Sequence, residues 1–212
     1  MARPLSFDRT ASLEAAMILF WQRGYQACAL PDLLNAMNIS RSSLYATFGD
    51  KRQLFIECLD LFFQRTFNPL CQTPSQPRET KNQGDKNSDY SLISIEHFFR
   101  YTILQVPKKR RACGCLLVNT VLEMAEQDRE LSALASEKLT KVEQYFIRCF
   151  AKAKAGKTLN TDASAEDLGQ LCMTLNQGLR VASRQGRSQQ ELESILNNSL
   201  KMLGIHSQKE NT

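Results

Sequence analysis

Asn38-Ile39-Ser40-Arg41-Ser42-Ser43-Leu44-Tyr45-Ala46-Thr47-Phe48-Gly49-Asp50-Lys51 reads as a turn, a very short helix, a glycine break and the start of a longer helix. Ser40 is a good N-cap, because its hydroxyl can accept from the free backbone N–H groups of the first turn. Leu44 and Phe48, four residues apart, mark the inner face. Arg41, Ser42, Ser43, Ala46 and Thr47 make the other face, with short or donor-rich side chains that a flat polar surface can approach closely. Gly49 ends the helix at low steric cost, and Asp50 caps the next one ahead of Lys51. A helix this short cannot stand alone, since nucleation is costly and few hydrogen bonds follow.

The stretch before it supplies a neighbour. In Leu30-Pro31-Asp32-Leu33-Leu34-Asn35-Ala36-Met37, Pro31 fits a first helical turn, where its missing N–H is not needed. Leu30, Leu33, Leu34 and Met37 have the 3–4 spacing of an amphipathic helix. Two short helices joined by a tight turn, the second with a polar outer face, make a helix-turn-helix, whose second helix enters the DNA major groove. An ordinary helical corner is the competing reading of this short pattern.

The flanks favour the helix-turn-helix. Phe20-Trp21-Gln22-Arg23-Gly24-Tyr25 ends a preceding helix, and Ser43-Leu44-Tyr45-Ala46-Thr47-Phe48-Gly49-Asp50-Lys51 is followed by Leu54 and Phe55. In order and spacing, over about the first 60 residues, this resembles the DNA-binding domain of the TetR (tetracycline-repressor) family of bacterial regulators. The resemblance implies an all-α fold: a helix-turn-helix DNA-binding head over 1–52 and a helical regulatory and dimerisation body over 53–212. It implies a homodimeric transcriptional repressor that binds a double-stranded DNA operator and is released by a small ligand, an oxidant or an electrophile. By position in the motif, Arg41, Ser42, Ser43 and Thr47 face the groove, and Tyr45 and Lys51 hold phosphates. Arg41 is the best candidate for a bidentate guanine contact. Two departures stand out. Cys28-Ala29-Leu30 lies where many members have a Thr or Ser that caps the second helix and touches a phosphate. Asn38 lies where they often have Gly, and Asn tolerates the left-handed conformation.

Charge sharpens this reading. The whole chain is only +5, and residues 1–72 hold seven Lys/Arg against six Asp/Glu. A protein held to nucleic acid by charge alone is more basic; a specific binder instead places a few cations well and doubles them by dimerising. An apolar content of 42% supports a real core. No segment approaches the roughly 18 uninterrupted apolar residues of a membrane span, and no signal region opens the chain, so a cytoplasmic location is expected. Seven cysteines, an odd number scattered through helical patterns, are no disulfide framework.

In chain order, Arg3 is either an arm reaching DNA or an unstructured end. Asp8 caps a first helix that runs to about Arg23, with Gly24 as its stop. A fourth helix runs from Asp50 to Pro69. Residues 72–90 form a polar loop expected to be mobile. A fifth helix over about 91–105 stops before Pro107 and the run Lys108-Lys109-Arg110-Arg111, which is either a phosphate contact or a solvated corner. A sixth opens at Cys113-Gly114-Cys115 and continues to about Ala125, a seventh spans about 128–155, an eighth 163–185 and a ninth 188–203. The last two carry apolar stripes that suit a four-helix interface with a second copy, Gly169 and Gly178 permitting close approach there or within the chain.

Other chemistry is sparse. There is no phosphate loop, no paired Cys-x-x-Cys and no His-rich metal pattern, and His97 and His206 offer little for acid–base catalysis. No catalytic residue, metal or cofactor is expected. An enzyme, or a helical adaptor or ligand-binding protein without sequence-specific DNA binding, is the alternative. For the signal, helices four to eight should enclose an apolar cavity, with Phe62, Phe99, Ile103, Leu117, Val121, Phe146 and Met173 as candidate lining or as plain core. Cys115 is the sharper candidate. A helix start and the cations upstream favour a thiolate there, and Cys113 could resolve a sulfenic acid formed on it. Gly114-Cys115-Leu116 also matches the position where some members that this chain resembles carry a sensor cysteine. The bland alternative is a small buried hydrophobe.

Overall fold

The computed structural model describes residues 7–71 and 90–205, with the backbone alone for 68–71. Arg3, His206 and all of the expected loop except Tyr90 lie outside the described residues. Among the described residues ten α-helices follow in order: α1 (Arg9–Arg23), α2 (Leu30–Met37), α3 (Arg41–Phe48), α4 (Lys51–Cys71), α5 (Leu92–Phe99), α6 (Lys108–Arg111), α7 (Leu116–Met124), α8 (Arg129–Ala155), α9 (Ala165–Arg184) and α10 (Gln189–Met202). The fold is all-α, and no strand occurs among the described residues.

The helix limits follow the local chemistry. Asp8 Oδ1 accepts from Thr10 N and Ala11 N at 2.9 and 3.1 Å, which caps α1. Asp50 Oδ1 accepts from Gln53 N at 2.8 Å and starts α4. Ser164 with Asp167, and Ser188 with Glu191, close reciprocal capping boxes at α9 and α10. Three sequence expectations are corrected. Helix α4 continues past Pro69 to Cys71; the proline costs one i→i−4 hydrogen bond near the helix end without stopping the helix there. The fifth helix is α5 followed by a π turn over Arg100–Leu104, closed by Gln105 N donating to Arg100 O at 2.8 Å. The four cations are themselves a short helix, α6, so α7 begins only at Leu116 with Cys115 as its N-cap.

Two compact units result. The first comprises residues 1–65 and 115–138, the second 66–114 and 139–212. In the first, Phe20 meets Phe55 edge-on at 4.8 Å and Trp21 meets Phe62 edge-on at 5.1 Å. Leu33, Met37, Leu44, Phe48, Leu54 and Cys58 fill in around them, all buried. Burying each large apolar side chain contributes roughly 1.5–3 kcal/mol, so this cluster holds α2 and α3 where propensity alone would not.

The second unit is built on rings. Phe146 takes Phe98 edge-on at 5.1 Å and stacks on Phe99 at 5.9 Å, while Tyr145 contacts Phe67 and Tyr90, each at 5.4 Å. Helix α9 lies close on α8: a Cβ at Gly169 would come 2.3 Å from Ile147 Cγ1. Gly169 is therefore an in-chain packing glycine, whereas nothing lies within 4 Å of the corresponding point at Gly178.

Candidate nucleic-acid interface

Asn38 sits at φ 53°, ψ 47°, the left-handed conformation that the turn between α2 and α3 requires. Ile39 N donates to Leu34 O and Asn38 N to Asn35 O, both at 3.2 Å, closing α2 as a Schellman-type end. Helix α2 has Ala29 as N-cap and no side-chain cap bond, in keeping with the missing Thr or Ser. Ser40 caps α3, accepting from Ser43 N at 3.1 Å. Leu44 and Phe48 point inward and are buried. Ser12 on α1 donates its hydroxyl to Met37 O at 3.1 Å, tying the end of α2 to α1.

The outer face of α3 carries the expected residues in unequal ways. Arg41 and Ser42 are exposed and Ser43 is half-buried. The Ser42 and Ser43 hydroxyls each lie 2.9 Å from Ser40 Oγ. Tyr45 is 51% exposed, an unusual position for a large aromatic side chain and an available phosphate donor. Thr47 differs from expectation: its hydroxyl oxygen is buried and without a hydrogen-bond partner among the described residues, so that group is not offered to a groove. Lys51 opens α4 with its ammonium 4.4 Å from the centre of the Tyr25 ring, a cation–π contact that fixes the direction of a flexible side chain.

Most of the other described cations of this unit are engaged with carboxylates, Arg129 being the exception. Arg9 pairs with Glu57 at 2.6 Å and also lies 4.8 Å over the Phe48 ring. Arg23 pairs with Asp32 at 2.9 Å, and Arg65 pairs with Glu14. Arg52 meets Asp128 at 3.1 Å and Glu130 at 2.5 Å. Asp128 also caps α8, accepting from Leu131 N at 3.0 Å. The Arg52 bond, then the Leu131 amide, hold its carboxyl below the usual carboxylate range. Arg41 and Lys51 have no carboxylate partner among the described residues. A nearly neutral unit thus leaves positive charge unanswered on its α3–α4 face.

Sequence reasoning missed two groups here. Tyr25 is the platform for Lys51, and burial raises its phenol above the usual range. Glu123 on α7 accepts from Tyr25 N at 3.0 Å and from Gln26 N at 2.8 Å. Nothing in the sequence pairs residues 25 and 123; only the fold does.

The signal candidates fall in both units. Cys115, Phe62, Leu117 and Val121 belong to the first, Cys113, Phe99, Ile103, Phe146 and Met173 to the second. All are buried except Val121 and Cys113, which are half-buried. Cys113 Sγ donates to Lys109 O at 3.3 Å, and burial raises its thiol above the ordinary range, Arg184 opposing. Among the described residues no His/Cys/Asp/Glu group could hold a metal, and no helix is long and apolar enough to cross a membrane.

Comparison with known proteins agrees with this geometry. The model for bacterial regulatory proteins of the tetR family matches residues 13–58, and that for the tetracyclin repressor-like C-terminal domain matches residues 94–198. The HTH-type transcriptional repressor ComR of Escherichia coli (strain K12) is 24% identical over 200 residues, spanning 94% of this chain and 90% of its own. The HTH-type transcriptional regulator YezE of Bacillus subtilis (strain 168) is 27% identical over 177 residues, 84% of each chain. Among solved structures, a cysteine mutant of the TetR family transcriptional regulator CifR, complexed with a 26-bp double-strand operator, superposes with a TM-score of 0.74. It is 25% identical, over 94% of this chain and 98% of that one. With both domains matched in order over most of its length, the chain belongs to the TetR family of bacterial transcriptional regulators.

Proposed function

We propose that this protein is a cytoplasmic homodimeric repressor that reads an operator with α3 and is released by a small ligand, an oxidant or an electrophile. Residues 1–52 form the DNA-binding part and residues 53–212 the regulatory and dimerisation part. The unneutralised α3–α4 face, with Arg41 and Lys51 free of carboxylates while neighbouring arginines are paired, carries the reading. Arg41 reads a base, Ser42 and Ser43 line the groove, and Tyr45 and Lys51 hold phosphates; Thr47 contributes shape rather than its hydroxyl. The dimer forms through α9 and α10, where Leu171, Val181, Ile195 and Met202 are exposed and Gly178 is open. A two-fold dimer of this kind sets its α3 helices about 34–36 Å apart, one turn of DNA.

The signal enters through Cys115 at the start of α7, with Cys113 as the resolving thiol, or through an apolar pocket within the second unit, for which Phe99, Ile103, Phe146 and Met173 are the candidate lining. Nothing in this scheme calls for catalysis, a cofactor or a metal. Selection of bound duplexes from a random pool, then titration at rising salt, tests the DNA reading. A repressor yields a two-fold symmetric site and salt-sensitive affinity, whereas an adaptor or enzyme yields no consensus. Treatment with N-ethylmaleimide separates the two signal routes. Release from the operator that Cys115→Ser abolishes establishes the Cys115 thiol; unchanged release in Cys115→Ser excludes Cys115 and moves the reaction to another group, and no release from either protein leaves a reversible ligand as the signal.

A further inference from the structure

In the turn between α1 and α2, two consecutive backbone N–H groups converge on one carboxylate. Tyr25 N donates to Glu123 Oε2 at 3.0 Å and Gln26 N to Glu123 Oε1 at 2.8 Å. Successive N–H groups of this kind form an anion-binding concavity, and bonds to a charged acceptor are roughly twice as strong as neutral ones. Gly24, just before the turn, has φ +86°, and a Cβ there would lie 2.7 Å from Glu123 Oε2. Glycine is thus needed for the conformation and for the approach of the carboxylate. Gln26 Nε2 adds a bond to Gln127 Oε1 at 3.0 Å. On the far side of the same residue, the Tyr25 ring lies under the Lys51 ammonium at 4.4 Å and against Phe55 at 4.8 Å. Contacts therefore run in one line from Glu123 to the Tyr25 backbone, to its ring, and to Lys51.

We propose that Glu123 is a positioning residue for DNA binding, through which α7 fixes the Tyr25 turn and with it the place of the Lys51 ammonium. The inference rests on the reading of Lys51 as a phosphate contact. Its sign separates it from a simple charge effect. Glu123 is an anion in a unit that approaches a polyanion, so as a surface charge its removal would tighten DNA binding; as a positioning residue its removal weakens it. Helix α7 starts at the Cys115 cap, so one helix carries the candidate thiol at one end and this carboxylate toward the other.

The test uses the full-length protein and its selected operator across a salt series. It compares wild type, Glu123→Gln, Glu123→Ala, Lys51→Ala and the Glu123→Ala/Lys51→Ala double variant. Glu123→Gln keeps size and fold but turns one acceptor into a donor facing an N–H. Each single variant is expected to bind about eightfold more weakly per half-site at 0.1 M salt, about sixtyfold for the dimer on a two-half-site operator, and to flatten the salt slope by about 0.9 per half-site, one phosphate contact's share. The Glu123 change should cost little further in the Lys51→Ala background. Wild-type or tighter binding by the Glu123 variants, or a fully additive double variant, overturns the proposal. A Lys51→Ala slope equal to wild type overturns the phosphate reading itself, and the positioning role with it, whatever the Glu123 variants do.

Discussion

Arg41 on α3 and Arg180 on α9 carry the same guanidinium into opposite surroundings. Arg41 is exposed on a short helix whose Leu44 and Phe48 turn inward, and no described carboxylate meets it. Arg180 is 6% exposed and donates to Thr102 O at 2.9 Å, with Asn176 Oδ1 at 3.4 Å. Its target lies in the π turn ahead of Pro107, where the regular ladder fails: Pro107 has no N–H to offer, and Thr102 Oγ1 bonds back to Phe98 O at 2.8 Å. The helix-turn-helix leaves this donor exposed. The middle of the second unit uses its donor on itself. Position in the fold, not residue type, decides which arginine stays exposed and which holds its own unit together.

The largest expected effect breaks the second half of this contrast. Arg180→Ala leaves the Thr102 carbonyl buried without its donor, and such a loss costs about 1–3 kcal/mol. Urea unfolding should show a lowered midpoint, while operator preference measured well below that midpoint stays as in wild type. A change in preferred sequence would mean that Arg180 does more than hold its own unit together.

Arg41→Ala is the mirror image. Folding should be untouched, since the side chain is exposed and bonds to nothing described. Discrimination between the operator and a variant at the contacted guanine should fall by about 1–3 kcal/mol. Competition binding with single-base operator variants checks this, and unchanged preference at every position would remove Arg41 from base readout.

The contrast also marks what a sequence can and cannot show. Ser40, Asn38, Gly49, Asp50 and the Leu44/Phe48 pair are legible because capping, left-handed turns and i, i+4 pairing are local rules. The direction of the Thr47 hydroxyl is not, because it depends on what packs above it. Nor is the division among the stripe residues of α9 and α10: Leu168 and Leu196 are buried, yet Leu171 is 57% exposed and Ile195 is exposed too. Periodicity picks out an apolar stripe wider than one chain fills, and cannot say which edge is left for a partner. The π turn is not legible either, because five residues are too few to shift the apolar pattern visibly from that of a continuous helix. Glu123 and Asp128 were missed for a different reason: their partners, Tyr25 and Arg52, are distant in sequence and no local rule links them.

Sedimentation sharpens the partner side of that account. Leu171 and Ile195 lie on the exposed faces of α9 and α10, so Leu171→Glu should shift the protein toward monomer at micromolar concentration and weaken operator binding, with little change in protomer folding. A dimer unaffected by that charge would move the interface off these two helices.

The smallest effect concerns the Arg52–Asp128 contact, which belongs to the first unit but is used like Arg180, for internal support. Asp128 is 27% exposed at its side chain, so solvent screens the pair and its contribution is modest. Its folded carboxyl titrates below the unfolded one, because Arg52 and then the Leu131 amide favour the charged form. A depressed carboxyl contributes stability that is fully present above the unfolded value, near 3.9, and is lost as pH falls through that value and the folded one. Asp128→Asn should therefore be less stable than wild type at pH 7, and the gap between them should narrow on acidification below about pH 4. Chemical unfolding of both proteins from pH 7 to pH 3 gives the two curves. A gap that stays constant would mean that Asp128 supports α8 as a neutral cap, with the Arg52 pair contributing nothing to folding.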